Sequence, residues 1–193
     1  MTTKDINFEH YTAAQARELR PDVEDIFRGS YIDTIESGEP FESPEAFMTR
    51  FDTYTDPNRP AGFELVMARI DGEPIGQAWG WPLTSGTHWW DGLQLDDGDP
   101  TAFTAETGVR TFALSEIMVR KAFTGRGIAR ALHDELLDSR SEQRATLLVR
   151  PDNRRAYATY LRWGWHRIGV LKPDWPNAPQ FDALVRASDH GVL

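Results

Sequence analysis

The order of apolar and polar positions along the chain predicts helices in the N-terminal third. From Asp22 to Ile35, apolar side chains recur at spacings of three and four residues, which predicts an amphipathic helix that runs up to Gly38. Ser43-Pro44 opens a further helix, because serine caps helices and proline fits their first turn. The other elements predicted here are a strand at 7–11 and a helix that Thr12 caps and that Pro21 interrupts or restarts.

Strand-like segments replace helical spacing after residue 60. Two strands, 62–70 and 74–81, are joined by Asp71-Gly72, which is a two-residue signal for an antiparallel hairpin. The segment 83–106 is rich in Gly, Asp and Thr and has no clear period, so we expect a long loop there. Its Trp89 and Trp90 either anchor that loop on the core or line a binding pocket, and the pattern leaves both interpretations open.

The stretch 115–137 combines a strand, a glycine-rich loop and a helix. The strand belongs to the segment Thr107–Val119, on which Leu114, Glu116 and Met118 share one face. The loop Thr124-Gly125-Arg126-Gly127-Ile128-Ala129 follows it. Glycines at such a junction let the backbone approach a ligand, and the first N–H groups of the helix then point at that ligand. This arrangement attracts phosphate.

The sequence after residue 137 predicts three strands and one further helix. The turn Pro151-Asp152-Asn153 caps the helix, and Gly164 ends it. The strands are predicted at 145–150, 165–171 and 181–187.

Length and composition predict one globular domain that spans residues 1–193. The chain is 40% hydrophobic, which is enough for one well-filled core. Its apolar runs are far shorter than the roughly 20 residues that a membrane span needs, and its first residues contain no apolar signal region. We therefore expect a soluble cytoplasmic protein without a membrane partner. The absence of cysteine excludes disulfides and an acyl-cysteine intermediate.

Charge is distributed unevenly along the chain. The net charge of −9 argues against nucleic acid as a partner, because neutralising phosphates requires a basic surface. Residues 70–109 contain seven acidic residues and no Lys or Arg, whereas Arg120, Lys121, Arg126 and Arg130 bracket the glycine loop. Either ordinary surface scatter or a ligand explains the basic run, and its coincidence with the loop favours a ligand. The histidines have no metal-ligand spacing, so no metal site is expected.

Two motifs give the chain a resemblance to a known family. They are Val119-x5-Gly125-Arg126-Gly127-Ile128-Ala129 and, after a strand, Asn153-x-x-Ala156-x-x-x-Tyr160-x-x-x-Gly164-Trp165. Together they resemble the GNAT superfamily of acetyl-coenzyme A-dependent N-acyltransferases, over roughly Phe112 to Ile168. Thr124 departs from the family pattern, which has Arg or Gln there. Trp165 replaces the commoner Phe.

The resemblance implies a fold and a set of site residues. The fold is an α/β (α+β) GNAT-like fold: a single mixed, mainly antiparallel sheet flanked by helices, with splayed fourth and fifth strands. The pantetheine arm would pair with the backbone of the fourth strand, which ends at Met118 and Val119. The backbone of Thr124–Ala129 would hold the coenzyme A pyrophosphate. Asn153 would contact the cofactor, besides capping its helix, and Tyr160 would protonate the departing thiolate.

Glu116 is the first candidate for the general base, because it lies on the strand that leads to the loop. A solvated or ion-paired strand residue is the alternative, and Glu106 and the loop aspartates are weaker candidates. The resemblance implies transfer of an acetyl group from acetyl-CoA to an amine, and the absence of cysteine favours direct transfer in a ternary complex. The acceptor would be a small-molecule or peptide amine, of cationic character if the acidic, Trp-bearing segment binds it. The alternatives are a catalytically silent acyl-CoA-binding module and a different acyl donor, and a homodimer is left open.

Overall fold

The computed structural model of the chain describes residues 6–174 and 176–188. Their helices and strands follow the predicted order, except that one predicted helix is split in two and two short elements lie within the predicted loop at 83–106. Short 3-10 turns occupy Pro40–Glu42 and Lys121–Phe123. The elements are β1 Ile6–Thr12, α1 Ala13–Glu18, α2 Arg20–Ser30, α3 Ile32–Glu36, α4 Pro44–Tyr54, β2 Glu64–Ile70, β3 Glu73–Pro82, β4 Leu93–Leu95, α5 Pro100–Thr104, β5 Thr111–Val119, α6 Ile128–Asp138, β6 Arg144–Val149, α7 Arg154–Arg162, β7 His166–Leu171 and β8 Phe181–Ala187.

The strands form one eight-stranded mixed sheet in the order β1-β2-β3-β5-β6-β8-β7-β4. The pairs β1–β2, β2–β3, β6–β8, β7–β8 and β4–β7 are antiparallel. By contrast, β5 and β6 are parallel and pair only from Thr111↔Arg144 to Ala113↔Thr146, although β5 continues to Val119 and β6 to Val149. This confirms the predicted fold class. The diverging pair corresponds to the fourth and fifth strands of the resemblance, since β4 is a short addition.

The backbone divides into two compact units, of which the first comprises residues 1–81 and 116–139. Its core is a stack of aromatic rings between helices and sheet. Phe27 of α2 lies 4.0 Å from Phe47 of α4, and Trp79 of β3 lies 5.3 Å from Phe47 and 5.1 Å from Phe51, measured between ring centroids. All four side chains are buried. Packing of this kind fixes α2 and α4 on the sheet, because aromatic rings bury large apolar areas.

The second unit comprises residues 82–115 and 140–193. A buried polar network organises the segment that precedes β5. The Glu106 carboxylate accepts hydrogen bonds from Trp90 Nε1 at 3.0 Å, Thr111 Oγ1 at 2.7 Å and Arg144 Nη2 at 3.1 Å. Trp90 also packs edge-to-face on Phe103. The network joins the segment to β5 and β6, because Thr111 and Arg144 belong to these strands.

The helix predicted from Asp22 to Gly38 is wrong in one respect: it is two helices. The break lies at Tyr31, which ends α2 with φ −109° and ψ 27°. The Ser30 hydroxyl donates to the Ile26 carbonyl at 2.7 Å, a bond that competes with the helical backbone pattern. The apolar spacing continues through the break, so periodicity alone does not reveal it.

The long loop predicted at 83–106 contains two short elements. The strand β4 pairs with β7 from Leu93↔Leu171 to Leu95↔Gly169, and the Asp99 side chain caps α5 by accepting from the Thr101 N–H at 3.0 Å. The expectation of a structureless loop is therefore wrong at these places. Of the two interpretations of Trp90, the anchoring one is confirmed by its burial and its bond to Glu106.

Candidate active site

The glycine loop connects the end of β5 to α6 within the first unit. Met118 and Val119 end the strand as buried side chains, and the 3-10 turn Lys121–Phe123 follows. Gly125 and Gly127 have φ of 78° and 79°, a left-handed conformation that other L-residues rarely adopt. A Cβ added to either glycine would meet no atom within 4 Å. Backbone shape, and not crowding by the protein, therefore requires glycine here.

The start of α6 presents N–H groups that have no acceptor within the helix. Its first helical bond runs from the Ala131 N–H to the Gly127 carbonyl at 3.0 Å, so the N–H groups of Ile128, Ala129 and Arg130 lie ahead of the helical ladder. Gly127 is the N-cap and provides no side-chain cap. An anion such as a pyrophosphate suits this terminus, because the N–H groups and the helix dipole both favour negative charge.

The Thr124 side chain closes the loop on itself. Its Oγ1 donates to the Lys121 carbonyl at 2.9 Å, across the 3-10 turn. The hydroxyl thus serves the loop conformation at the position where the family pattern has Arg or Gln. The backbone groups that follow are unaffected by this departure.

The basic residues around the loop are mostly held in ion pairs. Arg120 pairs with Asp25 and, at 3.4 Å, with Glu73, while Lys121 Nζ lies 2.8 Å from Asp33. Arg130 pairs with Asp134 at 2.6 Å. These contacts fasten the loop to α2 and α3, so the basic run has a structural role in addition to any role with a ligand.

Glu116 lies on β5 of the first unit, and its carboxyl group is poorly solvated. Although part of the residue is accessible to solvent, protein atoms crowd the carboxyl, and this burial raises the pKa of Glu116 from 4.5 to about 7. Arg50 opposes the increase and Glu42 adds to it. Among the described residues, no donor forms a hydrogen bond or ion pair with this carboxyl. A carboxyl that titrates near neutral pH has the property that a general base needs.

Asn153 and Tyr160 lie in the second unit, at the start and on the body of α7. The Asn153 Oδ1 accepts from the Ala156 N–H at 3.2 Å, which makes it the N-cap of the helix. The Tyr160 ring packs edge-to-face on Trp163 and Trp165, with centroids 5.9 and 6.2 Å away. Both aromatic neighbours restrain the ring.

Four residues near Glu116 carry no motif in the sequence: Arg50 and Tyr54 interact electrostatically with Glu116, and Trp81 and Arg59 pack on Tyr54. The Tyr54 ring packs against Trp81 at a tilt of 30°, with centroids 4.1 Å apart, and the Arg59 guanidinium lies over both rings at 5.2 and 5.5 Å. Burial raises the pKa of Tyr54; the nearby Glu116 raises it further, while Arg50 and Arg59 lower it. Arg50 and Tyr54 are on α4, Trp81 is near the end of β3, and Arg59 follows α4. No motif joins these segments, so only the fold reveals that they meet.

The other candidate groups have structural partners. Glu106 is the centre of a buried network, in which Trp90 and Arg144 both donate hydrogen bonds to its Oε1.

Within residues 6–174 and 176–188, no three His, Asp or Glu side chains converge as a metal site would require. His190 lies outside the described residues. No helix in the described part of the chain has the length and apolar character needed to cross a membrane.

Comparison with known proteins identifies the family. The model of the Acetyltransferase (GNAT) family matches residues 21–165, so the chain belongs to this family. No curated protein sequence matches the chain. The matched region contains the glycine loop, Glu116 and the motif from Asn153 to Trp165.

Solved structures of similar fold are distant in sequence. An acetyltransferase from Thermus thermophilus is 17% identical with a TM-score of 0.61, over 97% of this chain and 99% of that one. The ribosomal-protein-S18-alanine N-acetyltransferase of Escherichia coli is 14% identical with a TM-score of 0.60, over 95% and 94%. A GNAT family acetyltransferase from Elizabethkingia anophelis with acetyl-CoA bound is 16% identical with a TM-score of 0.58, over 96% and 99%. These likenesses concern the fold.

Proposed function

We propose that the chain works as a single N-acetyltransferase domain that transfers an acetyl group from acetyl-CoA to an amine in a ternary complex. The observation that carries the proposal is Glu116, a carboxyl of raised pKa on the strand that leads to the glycine loop. Family membership supports the reaction class, and the acetyl-CoA bound to the Elizabethkingia protein supports the donor. A cytoplasmic location is part of the same proposal.

In this proposal Glu116 acts as the general base. An alkylammonium group has a pKa of about 10.4, so forming its neutral amine at pH 7 costs about 4 to 5 kcal/mol. A carboxyl with a pKa of about 7 is mostly ionised at slightly alkaline pH. It can then accept the proton that the attacking amine releases. Burial of the carboxyl therefore tunes it towards this role.

Tyr160 acts as the general acid. The amine nitrogen forms a bond to the thioester carbon, the carbon–sulfur bond breaks, and the sulfur takes the bonding electrons. The Tyr160 hydroxyl then donates a proton to the thiolate, because a phenol is protonated at neutral pH. Its restraint by Trp163 and Trp165 lowers the entropy that positioning would otherwise cost.

The loop Thr124–Ala129 binds the pyrophosphate of the donor. The N–H groups ahead of the α6 ladder and the open space at Gly125 and Gly127 fit two phosphates that approach the backbone closely. The backbone of Met118 and Val119 would pair with the pantetheine arm, and Asn153 would add a polar contact. The donor supplies a thioester carbonyl, which an amine attacks more readily than an ester or amide.

The test is thiol release from acetyl-CoA across a panel of amines, together with calorimetric binding of coenzyme A. We expect coenzyme A to bind and at least one amine to be turned over. Tyr160→Phe should lower kcat while coenzyme A affinity stays within about twofold. Glu116→Gln should lower kcat/KM by about 10²- to 10⁴-fold. The rise in rate near pH 7 should disappear in the same variant.

The outcomes separate the alternatives. Binding without turnover on any amine would favour a silent acyl-CoA-binding module, and absence of binding would overturn both interpretations. Faster thiol release from succinyl-CoA or longer acyl-CoA than from acetyl-CoA would replace the donor and keep the mechanism. Unchanged turnover in Tyr160→Phe would remove Tyr160 from its role.

A further inference from the structure

A cluster of two arginines and three aromatic residues lies beside Glu116 in the first unit. This arginine–aromatic cluster consists of Phe41, Arg50, Tyr54, Arg59 and Trp81. Arg59 lies over the tilted pair of rings formed by Tyr54 and Trp81. The Arg50 guanidinium lies 4.4 Å from the centroid of Phe41, and its Nη1 donates to the Phe41 carbonyl at 2.8 Å.

Neither arginine of the cluster has a carboxylate partner among the described residues. The chain has 30 acidic residues against 21 Lys and Arg, so carboxylates are in excess. Several arginines of the same unit do have a carboxylate partner: Arg20 pairs with Asp52 at 3.0 Å, Arg28 with Glu24 at 2.7 Å and Arg69 with Glu9 at 2.9 Å. Arg17, by contrast, donates to the Thr55 carbonyl at 3.0 Å. What distinguishes Arg50 and Arg59 is that both lie over the rings of one aromatic cluster and that Arg50 is half-buried. Two guanidinium groups held together in this way without a carboxylate point to an anionic ligand.

Contact with the aromatic rings prepares both guanidinium groups for that ligand. A guanidinium that packs over an aromatic ring is restrained, and N–H groups of its fork remain available for hydrogen bonds. Arg50 spends one donor on the Phe41 carbonyl, and Arg59 donates to no described side chain. The planar fork of such a group matches a carboxylate with two parallel hydrogen bonds.

The position beside Glu116 connects the anion site to the reacting amine. Arg50 and Arg59 both act electrostatically on Tyr54, and so does Glu116. A ligand held there would therefore present its anionic group to the arginines and its amine to Glu116. Glu42 also acts on Glu116, so the surroundings contain two carboxyl groups as well as two guanidinium groups. This balance favours a singly charged carboxylate over a doubly charged phosphate, which the two carboxyls would repel.

We propose that the arginine–aromatic cluster binds a carboxylate of the acceptor, so that the acceptor is an amine that also carries a carboxylate. This inference rests on the proposed N-acetyltransferase activity. It differs from the expectation that the acidic, Trp-bearing segment binds a purely cationic amine. In that segment, Trp90 and Glu106 are occupied with each other and with Arg144.

The experiment compares thiol release for matched acceptors and variants. The panel contains free amino acids, short peptides, their C-terminal amides, the corresponding decarboxylated amines and amines that carry a phosphate. We expect kcat/KM for the carboxylate member of a matched pair to exceed that of its amide by about 10-fold or more. Comparing free amino acids with peptides then distinguishes the two sources of the carboxylate.

Arg59→Gln is the main variant, because Arg59 is exposed and its replacement leaves the core intact. It should remove most of the preference for the carboxylate member, measured as the ratio of kcat/KM for the two members of a matched pair. Arg59→Lys keeps the charge without the fork and should restore the preference only in part. Arg28→Gln is the matched control, since it removes an exposed arginine of the same unit that already has a carboxylate partner, and the preference should not change.

The results distinguish this inference from the proposed function. Turnover of amines without a preference for the carboxylate, or a preference that Arg59→Gln does not change, would overturn the inference alone. A preference for the phosphate-bearing amines would also overturn it. Absence of turnover on every amine would overturn the inference and the proposed function together.

Discussion

Glu116 makes stability depend on pH in a direction opposite to that of most carboxylates. Its pKa is about 7 in the folded chain against an ordinary value of 4.5. The folded chain therefore holds the proton more tightly, so the free energy of unfolding falls as pH rises from about 4.5 to about 7. A poorly solvated base is thus retained at a cost in stability at neutral pH, which is typical of a functional group.

We predict that Glu116→Gln stabilises the chain above pH 7 and has little effect near pH 4.5. The gain should reach at most about 3 kcal/mol, because each pKa unit corresponds to about 1.4 kcal/mol. Urea unfolding of both proteins at several pH values measures this difference. Glu36→Gln, at an exposed carboxylate of α3, is the control and should show no such trend. A difference between Glu116→Gln and the native chain that is constant with pH would contradict the prediction.

Glu106 differs from Glu116 in having hydrogen-bond donors around its buried side chain. We predict that Glu106→Ala destabilises the fold by about 3 to 5 kcal/mol, since it leaves the Arg144 charge and the Trp90 N–H without their acceptor. Chemical unfolding measures the loss. The near-ultraviolet signal of tryptophan should change in the folded variant. A loss below about 1 kcal/mol would show that the network contributes little.

At the scale of elements, the start of α6 depends on the backbone conformation of Gly127. We predict that Gly127→Ala weakens coenzyme A binding by about 10-fold or more, because φ of 79° strains an L-residue and the added methyl group occupies space open to a ligand. The strain should also cost about 1 to 2 kcal/mol of stability. Calorimetry measures the affinity and thermal unfolding the stability.

Gly38→Ala is the matched control for that variant. Gly38 has φ of 76°, and a Cβ there also meets nothing within 4 Å, but it lies after α3 and outside the loop. It should lose similar stability and keep its coenzyme A affinity. Equal losses of affinity in both variants would mean that general destabilisation, and not the loop, explains the effect.

Asn153 combines a helix cap with a proposed cofactor contact, and two substitutions separate these roles. We predict that Asn153→Ala costs about 1 kcal/mol of stability, because the Ala156 N–H loses its acceptor. Asn153→Ser keeps a capping oxygen and should retain most of the stability. If the amide also contacts the cofactor, both variants should bind coenzyme A more weakly. Full affinity in Asn153→Ser would restrict Asn153 to the cap.

The sequence predicted those elements whose side chains carry a local signal. The cap at Thr12, the restart at Pro21 and the hairpin at Asp71-Gly72 all depend on neighbouring residues, and the structure confirms them. The strand β4 has only three residues, too few to show a period, and long-range pairing with β7 defines it. Such pairing leaves no signal in the local sequence.

For the candidate site, too, the sequence predicts only what neighbouring residues encode. The glycine loop and the Asn153–Tyr160 spacing are contiguous motifs, so sequence sufficed to select them. Glu116 was selected from its place on a strand, but its poor solvation results from packing. Arg50 acts on Glu116 and Arg59 lies over Tyr54 only because α4 packs against the sheet through Phe47 and Phe51. These arginines had no distinguishing sequence signal.

At the scale of the whole molecule, one edge of the sheet depends on close backbone contact between β4 and β7. A Cβ added at Gly169 would lie 2.2 Å from the carbonyl oxygen of Gln94, so alanine cannot be accommodated without separating the strands. The register pairs Leu95 with Gly169, and the Asp96 N–H donates to the Ile168 carbonyl at 2.9 Å. Glycine at this position therefore allows an eighth strand to join the sheet.

We predict that Gly169→Ala detaches β4 and leaves the other strands paired. Hydrogen exchange at the Asp96 amide should become at least about 10-fold faster, because its bond to Ile168 is lost. Amides of β2 and β3 should change little, since those strands pair with each other. Gly86→Ala is the control. A Cβ at Gly86 meets nothing within 4 Å, and Gly86 lies in the segment before β5 that also contains β4. Unchanged exchange at Asp96 in Gly169→Ala would show that the strands tolerate the methyl group and that glycine does not determine this edge.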